Sequence, residues 1–484
     1  MDLLRGKRLS KMDKRAEQFT SSVTEDNPLI KATQTINKAH ILALYEAGIL
    51  SRDKAVKILR ALEKISDIKL DPSLEDVHMN IEALVSKVAG KDGGYMNLGK
   101  SRNDQVSAAL RIRAREELLS VLDEVMNTIK IMLDRSEEFE DSPLPGYTHM
   151  QVAQPVTLSH FLLCYAEALI RGCQRVIDCY KRINISPMGA AALAGSIVPI
   201  SRESVATLLG FDGIIQNSMD AVSSRDFLVE LLSSYLMIQL DLSRISEDLI
   251  FYSSIEASYI TIPDSYSSTS SIMPQKKNAV ALEMVRAKTA SIIGMFTAAV
   301  TTLKSLPQSY NLDVQEINSL IWKSSQTVKD SLAMVAGVVA GISFNEEKAL
   351  EGLKYGFAVA TDIAESLSLT FDIPFRDAHH IVGGIASRLT KEYSEQSLIP
   401  MIESEAKNYG YKVEGSKLKN IMDIHALLVK KKTEGSPNSV HTRRMRNSMR
   451  EAVQGIRKWM NDVQKSVRAS EHLLEDKIRE LERR

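Results

Sequence analysis

The chain has 484 residues, too many for one ordinary core, and its 44% hydrophobic content is enough to fill two or three. Sixty-one Lys and Arg balance sixty-one Asp and Glu, so no global field draws the protein to nucleic acid or to a membrane, and only a local basic pocket for an anion stays open. Aromatics are scarce at 6%, whereas Leu, Ala, Ile, Met, Lys and Glu are plentiful, which is helix-forming material.

In chain order, the first residues, MDLLRGKRLSKMDKR, are basic, but no apolar run follows, so they are not a secretory signal and the protein reads as cytoplasmic. A helical N-terminal domain extends to about residue 105. From Val106 the apolar positions Leu110, Ala114, Leu118, Leu122, Val125, Ile129 and Met132 recur in steps of three and four. Charges such as Arg111, Arg113 and Arg115 fill the gaps. This predicts a helix of roughly 50 Å at 1.5 Å per residue, longer than a small domain. DSPLPG at 141–146 ends it and turns the chain.

Helical patterns follow at 157–182, 226–254, 276–303 and 315–340, and five long helices make a central bundle to about residue 357. Between them, the Ser-rich segment 263–271 predicts a mobile loop and SLPQSYNL at 305–312 a break. The uncharged run 331–345 is too short to span a membrane. Cys164, Cys173 and Cys179 lack metal-ligand spacing and read as buried thiols in a reducing compartment. From 358 to 484 a C-terminal helical domain is expected. It is punctuated at 410–415 and 434–440 and ends in an amphipathic helix carrying Val453, Ile456, Met460, Val463 and Val467. No βαβ alternation is present, so the fold class is all-α.

Three stretches carry chemistry. TSSIMPQKKN at 269–278 places two serines on the loop just before Pro274, which suits the first turn of a helix. Free N–H groups at that helix start, the Lys276 charge and the Asn278 amide could together hold an anionic group. Glu283 lies further along the same helix. The second stretch, GYTHMQVAQP at 146–155, contains Thr148 and His149. The third, SRNDQV at 101–106, contains Arg102 and Asn103, the arginine offering a planar fork for a carboxylate. No cluster has metal-ligand spacing, and neither metal nor cofactor is expected.

The first of these stretches closely resembles the GSSxMPxKxN signature of the fumarase/aspartase superfamily, and the second resembles its GYTHxQxAQP segment. SRNDQV and MPQKKN resemble the argininosuccinate lyase family in particular. FTSSVTED at 19–26, EDVH at 75–78, SSRDF at 223–227, LPQSYNLDVQE at 306–316 and PFRDAHH at 374–380 extend the match over most of the chain. The resemblance implies elimination of fumarate from argininosuccinate, releasing arginine, in a homotetramer of up to twenty core helices whose sites each draw on three chains. It implies Ser270 and His149 as the catalytic pair, with Glu283 raising the basicity of the imidazole. Which of the pair is base and which acid stays open. Ser22, Asp26, Arg102, Asn103, Thr148, Lys276, Asn278, Tyr310 and Gln315 would bind substrate.

Departures from the family pattern are Thr269 for Gly, Val152 for Arg, Lys100 for Arg, Ala279 for Pro, and Asn318 for a Lys that contacts substrate. Adenylosuccinate lyase, another fumarate-releasing lyase, or a silent crystallin-like relative are the competing readings.

Overall fold

The computed structural model describes residues 10, 12–65, 68–389, 394–418 and 420–483, and these are overwhelmingly helical. The basic N-terminal stretch lies largely outside them. Among the described residues no helix is long and apolar enough to cross a membrane. Three helices, α1 (Ile30–Glu46), α2 (Arg52–Glu63) and α3 (Val77–Ala89), lead into the bundle. The bundle comprises α4 (Arg102–Glu138), α5 (Leu158–Ile183), α6 (Asp226–Tyr252), α7 (Val280–Leu303) and α8 (Gln315–Gly341). Here α4 packs on α5 and α8, while α6 packs on α5, α7 and α8.

The expected apolar stripe of α4, from Leu110 to Met132, is buried along its whole length. Arg111 and Arg115, among the charges that fill the gaps in that stripe, are buried too. A central helix has little wet face, so these guanidinium groups satisfy orphan carbonyls instead. Arg111 donates to the Arg182 carbonyl (2.6 Å) at the end of α5, and Arg115 donates to the Gly210 carbonyl (2.8 Å).

The direction of each helix follows from its end contacts. The N-terminal part of α4 touches the C-terminus of α5 through Arg111, and the same side chain donates to Ser224 just before α6. At the other end, Arg135 of α4 donates to the Ile342 carbonyl just beyond α8 (2.5 Å), and Arg286 near the start of α7 pairs with Glu247 near the end of α6. The bundle therefore has two distinct ends. One gathers the starts of α4, α6 and α8, and the other gathers their C-termini.

Strands are few. The segment 143–157 forms a hairpin of β1 (Pro143–Thr148) and β2 (Gln151–Thr157), with a bulge at Gly146/Tyr147. DSPLPG was expected only to turn the chain, but Pro143, Pro145 and Gly146 belong to β1, a two-stranded ribbon where proline is tolerated. Near the bundle's far end lie β3 (Ile260–Thr261), β4 (Ser268–Thr269), β5 (Lys277–Asn278) and β6 (Ser343–Phe344); β3 pairs with β6 and β4 with β5, all antiparallel.

One hydrophobic cluster runs from Leu29 to Ala349 and takes in Met449, Ile456, Met460, Val463, Leu474, Ile478 and Leu481 of the 45-residue terminal helix α9 (Ser439–Arg483). A second cluster is confined to Val359–Leu427. Of the three cysteines, Cys173 and Cys179 are buried as expected. Cys164 is exposed, because it falls on the outer face of α5.

Candidate active site

At the starting end of the bundle a cavity of about 320 Å³ is lined by Ser22, Asp26, Arg102, Asn103, Tyr310 and Gln315, six of the expected binding residues. Local chemistry explains their placing. In SRNDQV, Ser101 and Asp104 form a capping box at the start of α4: the Asn103 N–H donates to Ser101 Oγ (3.3 Å) and the Ser101 N–H to Asp104 Oδ1 (3.0 Å). That box fixes Arg102 and Asn103 in the first helical turn. Lys100, standing where the family pattern has Arg, is buried and donates to side-chain oxygens of Asn37 (2.6 Å), Asn97 (2.9 Å) and Gln105 (3.1 Å), which ties the motif to α1. Burial lowers its pKa to about 8.

The Arg102 guanidinium meets Glu75 and Asp76 at 3.1 Å each. Asp26 accepts from Ser22 Oγ (2.8 Å) and from the Val77 N–H (3.1 Å). Its side chain does not cap the helical turn Asn27–Leu29 that follows it. Burial pushes the carboxyl up to about 6, against those two hydrogen bonds. Gln315 donates to the Thr20 carbonyl (3.2 Å) and so stitches the start of α8 to the Ser22 loop.

The same cavity is lined by residues whose role the sequence did not reveal: Glu75, Asp76, His78 and Arg225. Their segments, EDVH and SSRDF, stood out as family-like, but nothing in a lone Arg or His marks it as facing a cavity. Arg225 is 1% exposed, and burial lowers its guanidinium to about 10.

The remaining candidates lie elsewhere. Thr148 and Gln151 close the β1–β2 hairpin, so His149 and Met150 form its two-residue tip, with φ of 53° and 59°. Both are left-handed, as a type I′ turn requires, and neither is Gly, Asn or Asp. His149 is exposed, and its ring makes no hydrogen bond or ion pair among the described residues. The hairpin is held from below by Tyr147, whose hydroxyl meets that of Tyr259 (2.7 Å) and whose ring stands edge-on to Phe251. Val152, where the family pattern has Arg, packs onto Gly356; a Cβ there would lie 2.4 Å from it.

Ser270, Lys276 and Asn278 share a loop at the same far end. Pro274 does not begin a helix. Lys277 and Asn278 pair with Thr269 and Ser268, the Lys276 N–H donates to the Met273 carbonyl (3.1 Å), and helical bonding starts with Glu283 N–H to Ala279 (3.1 Å). Pro274 thus sits second in a β-turn, which suits its fixed φ equally well. The Ser270 Oγ accepts from the N–H groups of Ile272 (3.3 Å) and Met273 (3.2 Å). These two donors, rather than a helix N-terminus, are what would steady an alkoxide there. The loop is pinned through Tyr266 against Gly337 and Pro263 against Gly341 of α8. Glu283 is exposed in the first turn of α7.

None of Thr148, His149, Ser270, Lys276, Asn278 or Glu283 lines the cavity. The 37 residues of α4 place Arg102 and the base of the hairpin roughly 55 Å apart. Six residues of β1 recover about 20 Å of that at most. One chain alone cannot bring Arg102 and His149 to one substrate.

A family profile described as "Lyase" matches residues 6–294, and one described as "Argininosuccinate lyase C-terminal" matches 357–426. An argininosuccinate lyase of Methanocaldococcus jannaschii is 38% identical over 99% of this chain and 100% of its own length. The chain belongs to the argininosuccinate lyase family. A second member, from Methanothrix thermoacetophila, is 42% identical over 79% of each chain. Among solved structures, an EDDS lyase in complex with formate superposes with a TM-score of 0.87 at 24% identity, over 98% of this chain and 96% of its own. A class II fumarase from Schistosoma mansoni gives 0.72 at 18%, over 85% and 94%. These two share the fold.

Set against the family pattern, Asn318 is a departure that faces the cavity: it lines it, is buried, and its Oδ1 has no hydrogen-bond partner. His379 and His380 of the PFRDAHH segment are exposed in the second turn of the helix Phe375–Ala386.

Proposed function

We propose that this protein splits argininosuccinate into arginine and fumarate, as its family name states, in arginine biosynthesis, and that it does so as a cytoplasmic homotetramer without metal, cofactor or nucleic-acid partner. The observation that carries the chemistry is the Ser270 hydroxyl, half-exposed on its loop with two backbone N–H groups donating to it. Donors aimed at an oxygen favour its anion, and this supports Ser270 as the base. In that role Ser270 takes the proton from Cβ of the succinyl group, and charge spreads onto the neighbouring carboxylate, held by Lys276 and Asn278. The C–N bond then breaks as the C=C bond of fumarate forms. His149 delivers a proton to the departing guanidine nitrogen, with Glu283 supporting the imidazole. Thr148, Ser22, Asp26, Arg102, Asn103, Tyr310 and Gln315 hold the rest of the substrate.

Shared sites are supported by the separation of Arg102 from His149. They are also supported by α7, of whose 24 residues only five are buried although Met284, Ile293 and Val300 are apolar and exposed. Met237 of α6 and Met334 of α8 are exposed as well, which suits a bundle face awaiting further copies. We also divide the chain into helical domains at about residues 105 and 357, the second boundary supported by the change of hydrophobic cluster between Ala349 and Val359. The test is to incubate the protein with argininosuccinate, adenylosuccinate and malate and to follow fumarate absorbance. Fumarate from argininosuccinate alone is expected, and fumarate from either of the others with none from argininosuccinate overturns the reading.

A further inference from the structure

The hairpin that bears His149 keeps a conformation its own tip does not favour. His149 and Met150 hold left-handed φ of 53° and 59°, which residues with a Cβ keep only where the surrounding structure determines it. What determines it here lies at the hairpin's base. The Tyr147 hydroxyl is 2.7 Å from that of Tyr259. Tyr259 is buried and tied through its backbone on both sides. Its N–H donates to the Tyr252 carbonyl at the end of α6 (2.9 Å), and its carbonyl accepts from the Asn345 N–H (2.8 Å). Asn345 caps the helix Glu346–Tyr355, its side chain accepting from the Lys348 N–H (3.3 Å). That helix packs against the hairpin. Its Gly352 approaches the Tyr259 hydroxyl so closely that a Cβ there would lie 2.5 Å from it, and Gly356, just beyond the helix, meets Val152 of β2 in the same way.

We infer that Tyr259 is a positioning residue for His149. Its hydroxyl, bonded to Tyr147 and closed in by Gly352, fixes the base of the hairpin and so the place where the imidazole meets the substrate. This rests on the proposed role of His149 as proton donor to the departing nitrogen. The helix Glu346–Tyr355 leads on to the second hydrophobic cluster at Val359, so the same clamp joins the hairpin to the C-terminal part of the chain. Proton delivery is sensitive to placement, and an offset near 1 Å can cost on the order of 100-fold in rate. Most of the proposed carboxylate contacts lie off the hairpin, so a displaced hairpin lowers turnover more than it raises KM.

The test is a double-variant cycle at Tyr259 and Gly352 in the intact assembly. It is read by steady-state and single-turnover kinetics and by hydrogen exchange of the amides in 146–157. Tyr259→Phe keeps the ring and removes the hydroxyl, so the single-turnover rate should fall about 3- to 10-fold, the worth of one hydrogen bond, with a smaller change in KM. Gly352→Ala suits the helix better than glycine does, so melting temperature should hold. Its methyl group drives against the Tyr259 hydroxyl, however, and the rate should fall on the order of 10- to 100-fold. In the Tyr259→Phe background that closest contact is gone, so the double variant should lie close to Tyr259→Phe alone. Hairpin exchange should quicken in step with each loss of rate. Additive losses, or exchange that stays at the wild-type rate in both single variants, overturn the assignment. If Gly352→Ala does not fold, Tyr259→Phe decides by its rate and its exchange. Should His149→Asn retain full turnover while the exchange pattern holds, the catalytic reading of His149 fails and the clamp on the hairpin stands.

Discussion

Two side chains separate chemistry from binding at the residue scale. Ser270 accepts two backbone N–H groups and is followed by Ser271, which makes neither contact. Ser270→Ala should lower the turnover number by about 10²–10⁴-fold, the usual range for a general acid–base group, with a modest change in substrate affinity. Ser271→Ala should cost far less. Single-turnover kinetics on both variants checks the register, and a crippled Ser271→Ala would reverse it. Asp26 is different, because burial raises its carboxyl to about 6. The folded state then holds this proton more tightly than the unfolded chain does, so the group's contribution is complete below about 4 and is lost as pH rises through 6. Asp26→Asn removes that loss. Its stability relative to wild type in urea melts should rise by on the order of 1–3 kcal/mol between pH 4 and pH 7, while arginine binding weakens. A pH-independent difference would place Asp26 in a wetter site than the cavity wall.

Among elements, the loop bearing Ser270 is positioned by contacts far from its tip. The Tyr266 ring lies against Gly337 of α8 so closely that a Cβ on Gly337 would sit 1.9 Å from the hydroxyl. Alanine at 337 favours the helix by nearly 1 kcal/mol but must push the ring, and the loop, away. Gly337→Ala should therefore leave melting temperature unchanged or higher while turnover falls; full activity would mean the loop is set by its tip alone. The long helices were legible because their apolar stripes are long and regular, as in Leu110 to Met132. The β1–β2 hairpin was not legible, since its tip is His149-Met150 and not the Asn-Gly or Asp-Gly that announces a type I′ turn. Pro274 misled for a related reason: its φ fits a helix start and the second place of a β-turn alike, and only the pairing of Lys277 and Asn278 with the preceding strand decides. Arg225 was unreadable as a cavity residue, because its burial in the cavity wall is a property of the packed molecule and not of SSRDF.

Across the whole molecule, the proposed function makes the two ends of the bundle complementary halves of one site. The cavity, with Arg102, Asp26 and Tyr310, lies at the start of α4, and the His149 hairpin and Ser270 loop lie toward its far end, whose distance from Arg102 is roughly 55 Å by helix length before the about 20 Å at most that β1 recovers. A two-fold axis across the bundle would place the cavity end of one copy beside the hairpin end of another, and closed two-fold symmetry is the commonest way subunits assemble. The exposed apolar residues of α7 offer the surface for it. Complementation follows from this arrangement. His149→Asn keeps the hairpin, since Asn tolerates the left-handed conformation that His149 adopts, and it removes only the imidazole. Arg102→Ala removes the guanidinium at the opposite end. Each variant alone should be nearly inactive, because every site in its assembly lacks one group. Mixed, dissociated in mild denaturant and reassembled, the two should recover a measurable fraction of wild-type activity, since some sites then take their cavity from a His149→Asn chain and their hairpin from an Arg102→Ala chain. A double variant carrying both changes on one chain, mixed with wild type, fixes the statistical baseline. Wild-type protein that sediments as an active monomer, or a mixture that stays inactive although hybrid assemblies are shown to form, would overturn the shared site.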